Sequence, residues 1–192
     1  MSKIFLFDVD GVAANLTGYL IDKLAHQFKR KELPGPDDIK NHDTLFKRGS
    51  TPFTEEQLLA AYKLLASKKF AQNMLLIDGA QEGIKKVRKS GSSVFWITSP
   101  WVSSQTWDHD RRVWLEKNFH SKHQDVGFFY QKHLVRGDVF IDDKPSNVAN
   151  WAAANPHGRA LLFDQPWNKK DGGALERFTW DKIDQIIKEV VC

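Results

Sequence analysis

The chain has 192 residues, 41% of them hydrophobic and 27% charged, enough apolar material for one packed domain or one domain with a modest insertion. That balance excludes disorder, collagen and coiled coil. Twenty-eight basic residues against 24 acidic ones give a net charge of +4, which suits an anionic small molecule and a nucleic acid equally and selects neither.

No apolar run approaches the roughly 18 residues of a membrane span. The start, MSKIFLFDVDG, reaches an acidic cluster too early for a signal peptide. A single cysteine, Cys192, excludes an intramolecular disulfide framework. The expectation is a soluble cytoplasmic protein with no membrane partner. The longest basic cluster, Lys29-Arg30-Lys31, reads as a solvated helix end.

In chain order, Lys3 to Phe7 is a short apolar run that reads as a buried strand. Leu16, Leu20, Leu24 and Phe28 recur at helical spacing and predict a helix from Asn15, its N-cap, to about Arg30. Pro34, Gly35, Pro36, Gly49 and Pro52 mark residues 31–53 as irregular. Thr54 followed by Gln57 is a capping box that opens a helix through about Ser67. Asp78 is expected to cap a further helix, with Ile84 and Val87 on one face and Gly91 as its stop.

From Ser93 the pattern becomes strand–helix alternation. Strands are expected at Ser93–Ile97, Gly127–Tyr130, Asp138–Ile141 and Arg159–Phe163. Helices are expected near Asp108–Asn118, from Pro145 to about Ala154, and at Asp181–Val191. Such alternation predicts an α/β fold with a parallel sheet covered on both faces. Residues 15–78, helical with no clear strand, read as an insertion after the first strand, a cap; residues 1–14 and 79–192 form the core.

Parallel sheets place ligands at the carboxyl ends of their strands, and four polar groups fall at such ends here. Asp8 and Asp10 follow the first strand, Thr98 and Ser99 follow Val94–Ile97, Asp142 and Asp143 follow Val139–Ile141, and Lys132 lies just past Phe128–Tyr130. Carboxylates held close repel one another unless a cation neutralises them. An oxygen-only ligand set favours a hard ion, Mg²⁺ above all. A carboxylate can also attack a phosphoryl group to give an aspartyl-phosphate, while a second one protonates the leaving alcohol and later activates water. Lys132 and Thr98 would then hold phosphate oxygens.

Taken in order, Asp8-Val9-Asp10-Gly11, Thr98, Lys132 and Asp142-Asp143 resemble the four motifs of the haloacid dehalogenase-like hydrolases. DVDGVAA, ITSPW, QKHLVRGDVFIDDKPSNV and the late FDQPWN are similar to the 5′(3′)-deoxyribonucleotidases, a resemblance that is weakest over residues 31–76. It implies a three-layer Rossmann-like core with a small helical cap, in keeping with the insertion. It also implies that Asp8 is the nucleophile and a Mg²⁺ ligand. Asp10 would be the general acid/base, with its backbone carbonyl on the metal. Thr98, Ser99 and Lys132 would bind the phosphoryl group, and Asp142 and Asp143 would complete the metal site, Asp143 in direct contact. Relatives that dehalogenate lack a carboxylate at the place of Asp10, so its presence favours phosphate transfer.

Family members stack the base on cap aromatics; the candidates here are Phe46 and Phe70, with Phe53 and Tyr19 beside them, each equally able to pack the cap. Leu16 stands where some relatives carry a ring, and Pro100-Trp101-Val102-Ser103 lacks a lysine that some carry. Trp96, Trp114 and Trp180 read as core, whereas Trp101 could border the site. Trp167 could line the rim or anchor the last connection. His120, His123 and Asp108-His109-Asp110 lack zinc spacing and read as solvated surface.

The favoured function is a Mg²⁺-dependent phosphatase of (deoxy)ribonucleoside monophosphates acting through an aspartyl-phosphate. Alternatives are the same chemistry on another phosphomonoester or on nucleic-acid 3′-phosphate ends, and a non-catalytic nucleotide-binding protein. A homodimer is compatible with the sequence.

Overall fold

The computed structural model describes residues 2–35, 38–39, 46–170, 173 and 175–191, so Pro36 and Cys192 lie outside the described residues. Six strands form one sheet: β1 (Ile4–Phe7), β2 (Ser93–Thr98), β3 (Val126–Phe128), β4 (Val139–Asp142), β5 (Arg159–Phe163) and β6 (Arg177–Phe178). All neighbours are parallel, in the order β3-β2-β1-β4-β5-β6. Central parallel strands are covered on both faces, which is why β1 and β4 read as unbroken apolar runs rather than alternating ones.

Phe5 and Phe7 of β1 face Trp96, Ile141 and Leu161 in the larger core. Leu6, on the opposite face, joins Phe140, Val148, Trp151 and Leu162. Burying each such side chain contributes roughly 1.5–3 kcal/mol. Helix α5 (Pro145–Ala154) covers the second face through Val148 and Trp151. Helices α3 (Ala80–Lys89), α4 (Trp107–Phe119) and α6 (Ile183–Val191) cover the first through Ile84, Val87, Trp114, Ile183 and Ile186.

Between β1 and β2 lie α1 (Leu16–Leu24) and α2 (Glu55–Ala66), which pack on each other. Asn15 caps α1 by accepting from the Gly18 N–H at 2.8 Å. The Thr54–Gln57 box forms in both directions, at 3.2 and 3.0 Å. The segments that enter and leave this helical pair run side by side. Asn15 donates its N–H to Leu75 and Ile77 donates to Ala13, both at 2.8 Å.

Some expectations are corrected. Helix α1 ends at Leu24, because the N–H groups of His26 and Gln27 turn to the carbonyls of Lys23 and Leu24 in tight i→i−3 bonds. Asp78 does not cap α3. Gly79 occupies that position at φ +83°, and a Cβ there would meet the Cβ of Trp180 at 2.8 Å. Gly91 does stop α3, also in the left-handed region. The third strand begins one residue earlier and ends two earlier than expected, and α6 begins at Ile183, after a 3-10 turn at Trp180–Lys182 that carries Trp180.

Candidate active site

The chain visits β2 and β3 before β4 returns to pair with β1, so the carboxyl ends of β1 and β4 flank the point where strand order reverses. Asp8 follows β1 there, its N–H on the Ile141 carbonyl at 2.8 Å. Asp142 ends β4 and Asp143 follows it. One carboxylate oxygen from each of Asp8, Asp142 and Asp143 lies within 4.8 Å of the others, and all three residues are buried.

Lys132, in a 3-10 turn after β3, enters the same cluster. Its Nζ reaches Asp8 Oδ1 at 2.8 Å and Asp142 Oδ2 at 2.7 Å, and the residue is only 3% exposed. Asp142 spends both oxygens on protein donors: Oδ1 accepts from the Lys144 N–H at 2.8 Å, and Oδ2 also accepts from Asn147 at 3.0 Å. Asp143 spends one, Oδ2, on the indole N–H of Trp167 at 2.9 Å. Asn168 holds the Asp143 carbonyl at 2.8 Å. Trp167 therefore anchors the last connection onto the acidic cluster.

Gly11 explains the fourth residue of the Asp-Val-Asp-Gly run. It sits at φ +76°, and a Cβ on it would stand 2.1 Å from Asp143 Oδ2. Only glycine lets the turn after β1 and the end of β4 approach this closely. The carbonyl of Gly11 in turn accepts from Gln165 at 2.6 Å.

The electrostatics follow from burial. Desolvation pushes the Asp8 carboxyl up to about 7, against the pull of Lys132 and with the repulsion of Asp142 and Asp10. Desolvation, then Asp142 and Asp8, hold Asp143 well above the usual carboxylate range. Burial alone would lower Lys132, but Asp142 and Asp8 outweigh it and raise the ammonium. Three buried carboxylates and one lysine leave negative charge uncompensated, in an all-oxygen donor set. Asp8 Oδ2 and Asp143 Oδ1 meet no protein donor among the described residues. These donors fit a hard divalent cation.

Thr98 ends β2, fully buried, and its hydroxyl is one of the buried polar atoms that meet no partner among the described residues. Ser99 is half-buried and donates to the Phe129 carbonyl at 3.2 Å. Asp10 lies two residues beyond Asp8 with its Oδ1 2.7 Å from Nη2 of Arg111, a fully buried arginine of α4. Sequence reasoning passed over Arg111. The signal was its place on the helix, three residues before Trp114 and four after Trp107, where i, i+4, i+7 spacing puts a cation on an apolar stripe.

The aromatic candidates divide. Phe70 is buried, its ring 5.2 Å from Tyr19 and 6.5 Å from Trp107, and Phe53 is buried in the core. Phe46 is half-buried, 5.4 Å from Trp101, and its carbonyl accepts from the Tyr62 hydroxyl. Trp101 therefore meets the helical insertion directly, and its indole N–H is buried without an acceptor among the described residues. Trp96 and Trp114 are core as expected. Asp110 corrects its reading as solvated: it is buried, accepting from the Lys69 N–H at 2.7 Å and Thr106 Oγ1 at 2.8 Å.

A family model described as "5′ nucleotidase, deoxy (pyrimidine), cytosolic type C protein" matches residues 2–192. The chain is 24% identical over 174 residues to a 5′(3′)-deoxyribonucleotidase of Clostridium acetobutylicum, covering 90% of this chain and 88% of that one. Among solved structures, it is similar to a haloacid dehalogenase family hydrolase from Deinococcus radiodurans R1 crystallised with phosphate and sodium. That match has TM-score 0.56 and 15% identity, over 98% and 96% of the two chains. A dehalogenase with an intermediate complex matches at TM-score 0.61 and 8% identity, over 100% of this chain and 98% of that one. At these identities the solved structures speak for the fold alone.

Proposed function

The chain belongs to the cytosolic type C deoxy-5′-nucleotidase family of haloacid dehalogenase-like phosphatases, and from that premise we propose a Mg²⁺-dependent hydrolase of deoxyribonucleoside monophosphates that works through an aspartyl-phosphate. The observation that carries this reading is the buried cluster at the strand reversal. Asp8, Asp142 and Asp143 converge there around Lys132, with Asp10 one turn away. Asp8, Asp143 and the Asp10 carbonyl would hold the ion, and Asp142 would support them through Lys132 and Asn147. Bound there, the ion would neutralise the carboxylates and the phosphoryl oxygens, letting two anions approach each other.

Asp8 is the nucleophile in this reading. A carboxylate oxygen forms a bond to phosphorus, and the bond from phosphorus to the nucleoside oxygen breaks. Asp10 gives that oxygen a proton, so the nucleoside leaves as a neutral alcohol. Asp10 then takes a proton from water, which attacks the acyl-phosphate, releases inorganic phosphate and restores the Asp8 carboxylate. Lys132 and the Thr98 hydroxyl hold the phosphoryl oxygens; among the described residues the Thr98 hydroxyl has no other partner to give up. Ser99 adds a further polar group at the same strand end.

Residues 15–78 act as the cap over this site, with residues 1–14 and 79–192 as the core. The paired linkers at Ala13–Asn15 and Leu75–Ile77 support that division. The half-buried Phe46 and the adjoining Trp101 are the aromatic groups placed to meet a base, while Phe70 supports them from the packed interior. We read the protein as cytosolic, as its family description has it; among the described residues no helix is long and apolar enough to cross a membrane.

The test is phosphate release from a panel of 5′- and 3′-mono(deoxy)nucleotides, sugar phosphates and a 3′-phosphorylated oligonucleotide, with Mg²⁺ and with EDTA. Mg²⁺-dependent release concentrated on deoxynucleotides is expected, with Asp8→Asn folded and inactive. Near-normal turnover by Asp8→Asn would overturn the covalent route. Activity confined to sugar phosphates or the oligonucleotide would discard the substrate class.

A further inference from the structure

Arg111 is a fully buried cation whose charge, among the described residues, has one carboxylate in ion-pair contact. Nη2 donates to Asp10 Oδ1 at 2.7 Å. Nη2 and Nη1 also meet the Met74 sulfur at 3.4 and 3.5 Å, and the guanidinium lies over the faces of Trp107 and Trp114 at 5.1 and 5.7 Å, while Nε has no partner among the described residues. Asp110, one residue earlier on α4, is already engaged with Lys69 and Thr106. Burying a charge is costly, and well-packed apolar side chains of similar volume in place of a buried ion pair are often neutral or stabilising. Packing alone therefore does not account for an arginine here.

We propose that Arg111 is a positioning residue for the proton transfer assigned above to Asp10. The inference rests on that reading. By donating to Oδ1, the guanidinium fixes the rotation of the Asp10 carboxyl and leaves Oδ2 as the oxygen that carries the proton to the departing nucleoside oxygen. The two tryptophan faces and the methionine sulfur hold the guanidinium plane in turn, so the orientation of the acid is set from α4 rather than from its own turn after β1. The proton moves from Asp10 Oδ2 to the nucleoside oxygen as the bond from phosphorus to that oxygen breaks. Arg111 keeps all its protons throughout.

A displaced acid matters only to a leaving group that needs a proton. A nucleoside alkoxide does, and 4-nitrophenolate does not. The experiment is rapid-mixing measurement of the first step, release of nucleoside or of nitrophenolate, on a deoxynucleoside 5′-monophosphate and on 4-nitrophenyl phosphate. It compares the unaltered protein, Arg111→Met, Arg111→Lys and Asp10→Asn, all with Mg²⁺. Arg111→Met keeps the volume between the tryptophans, and its first step on the nucleotide is expected to fall at least about tenfold, against a fall of less than about threefold on 4-nitrophenyl phosphate. Arg111→Lys, which keeps a cationic donor, should recover part of the loss on the nucleotide; it carries the same comparison should the methionine variant not fold.

Equal losses on both substrates would overturn the inference, leaving Arg111 a structural residue. A faster first step on the nucleotide would overturn it too, because Arg111 would then be holding Asp10 away from the reaction. Asp10→Asn separates this from the underlying reading: if it shows no leaving-group dependence, the acid role of Asp10 fails; if it shows one that the Arg111 variants lack, only the positioning role fails.

Discussion

Gly11 and Asp143 touch where almost no other pair of residues could, since a single added carbon on Gly11 would stand 2.1 Å from Oδ2 of Asp143. The turn that carries Asp10 and the strand end that carries Asp143 are thus held at a separation that only a missing side chain permits. Gly11→Ala should push Asp143 off the cluster, and the positive φ adds strain of its own. The expected outcome is a loss of Mg²⁺ affinity of at least about tenfold and a stability loss of about 1–3 kcal/mol. Calorimetric Mg²⁺ titration with thermal unfolding measures both, and unchanged Mg²⁺ affinity would refute the close-approach argument.

Trp167 donates its indole N–H to Oδ2 of Asp143 at 2.9 Å. Trp167→Phe keeps most of the packing and removes that donor. Groups that orient a ligand typically matter about 10–100-fold in metal affinity, so a drop in that range is expected with little change in melting temperature. A variant that bound Mg²⁺ normally would show that Asp143 holds its orientation unaided.

Lys132 is the sole cation within ion-pair distance of Asp8 and Asp142 among the described residues. Lys132→Met leaves both carboxylates buried and unanswered, a change that typically costs about 3–5 kcal/mol. Saturating Mg²⁺ should return part of that stability, since it supplies charge to the same cluster. Denaturant unfolding with and without Mg²⁺ distinguishes this from simple loss of packing, which the ion would not repair.

The raised carboxyls make a signed pH prediction. A carboxyl raised from 3.8 to about 7 in the folded protein binds its proton more tightly there than in the unfolded chain. The stability it contributes is therefore present below its ordinary range and is lost as pH climbs from about 4 to 7. Asp143 adds in the same direction. Without a divalent ion, these groups should make the protein less stable across that interval, while the stabilisation on adding Mg²⁺ should grow, because the ion needs the deprotonated form. Melting curves from pH 4.5 to 8 with Mg²⁺ or EDTA test both slopes; stabilisation by Mg²⁺ that does not rise with pH would contradict the assignment.

The parts of this molecule legible from its sequence are those whose cause is local. The Thr54 capping box, the Pro145 helix start, the Gly91 stop and the apolar strand runs each depend on a few adjacent residues. Strand ends were legible too, which is why Asp8, Thr98, Lys132 and Asp142 could be grouped before any fold was known. What escaped depends on distant neighbours. Gly79 displaces Asp78 as a cap because Trp180, a hundred residues on, leans against it. A two-residue strand such as β6 is too short to carry a period. Arg111 acts through Asp10, 101 residues away in sequence, so only its odd place among apolar residues could have marked it.

The two linkers beside the first strand bear on how such a protein can change. Ala14 and Leu76 bridge, and Asn15 and Ile77 hydrogen-bond across the same pair of segments, so the chain departs from the sheet and comes back at one spot. The 59 residues 16–74 leave and rejoin the sheet at this one place, and they also pack on α4, where Lys69 meets Asp110 and Phe70 meets Trp107. A change of length within that segment that spares these contacts leaves β1 and β2 paired as they are, because the excursion is closed beside the sheet. The ribbon at Ala13–Asn15 and Leu75–Ile77 thus lets the length of the excursion vary without passing the change to the strand ends that carry Asp8 and Thr98.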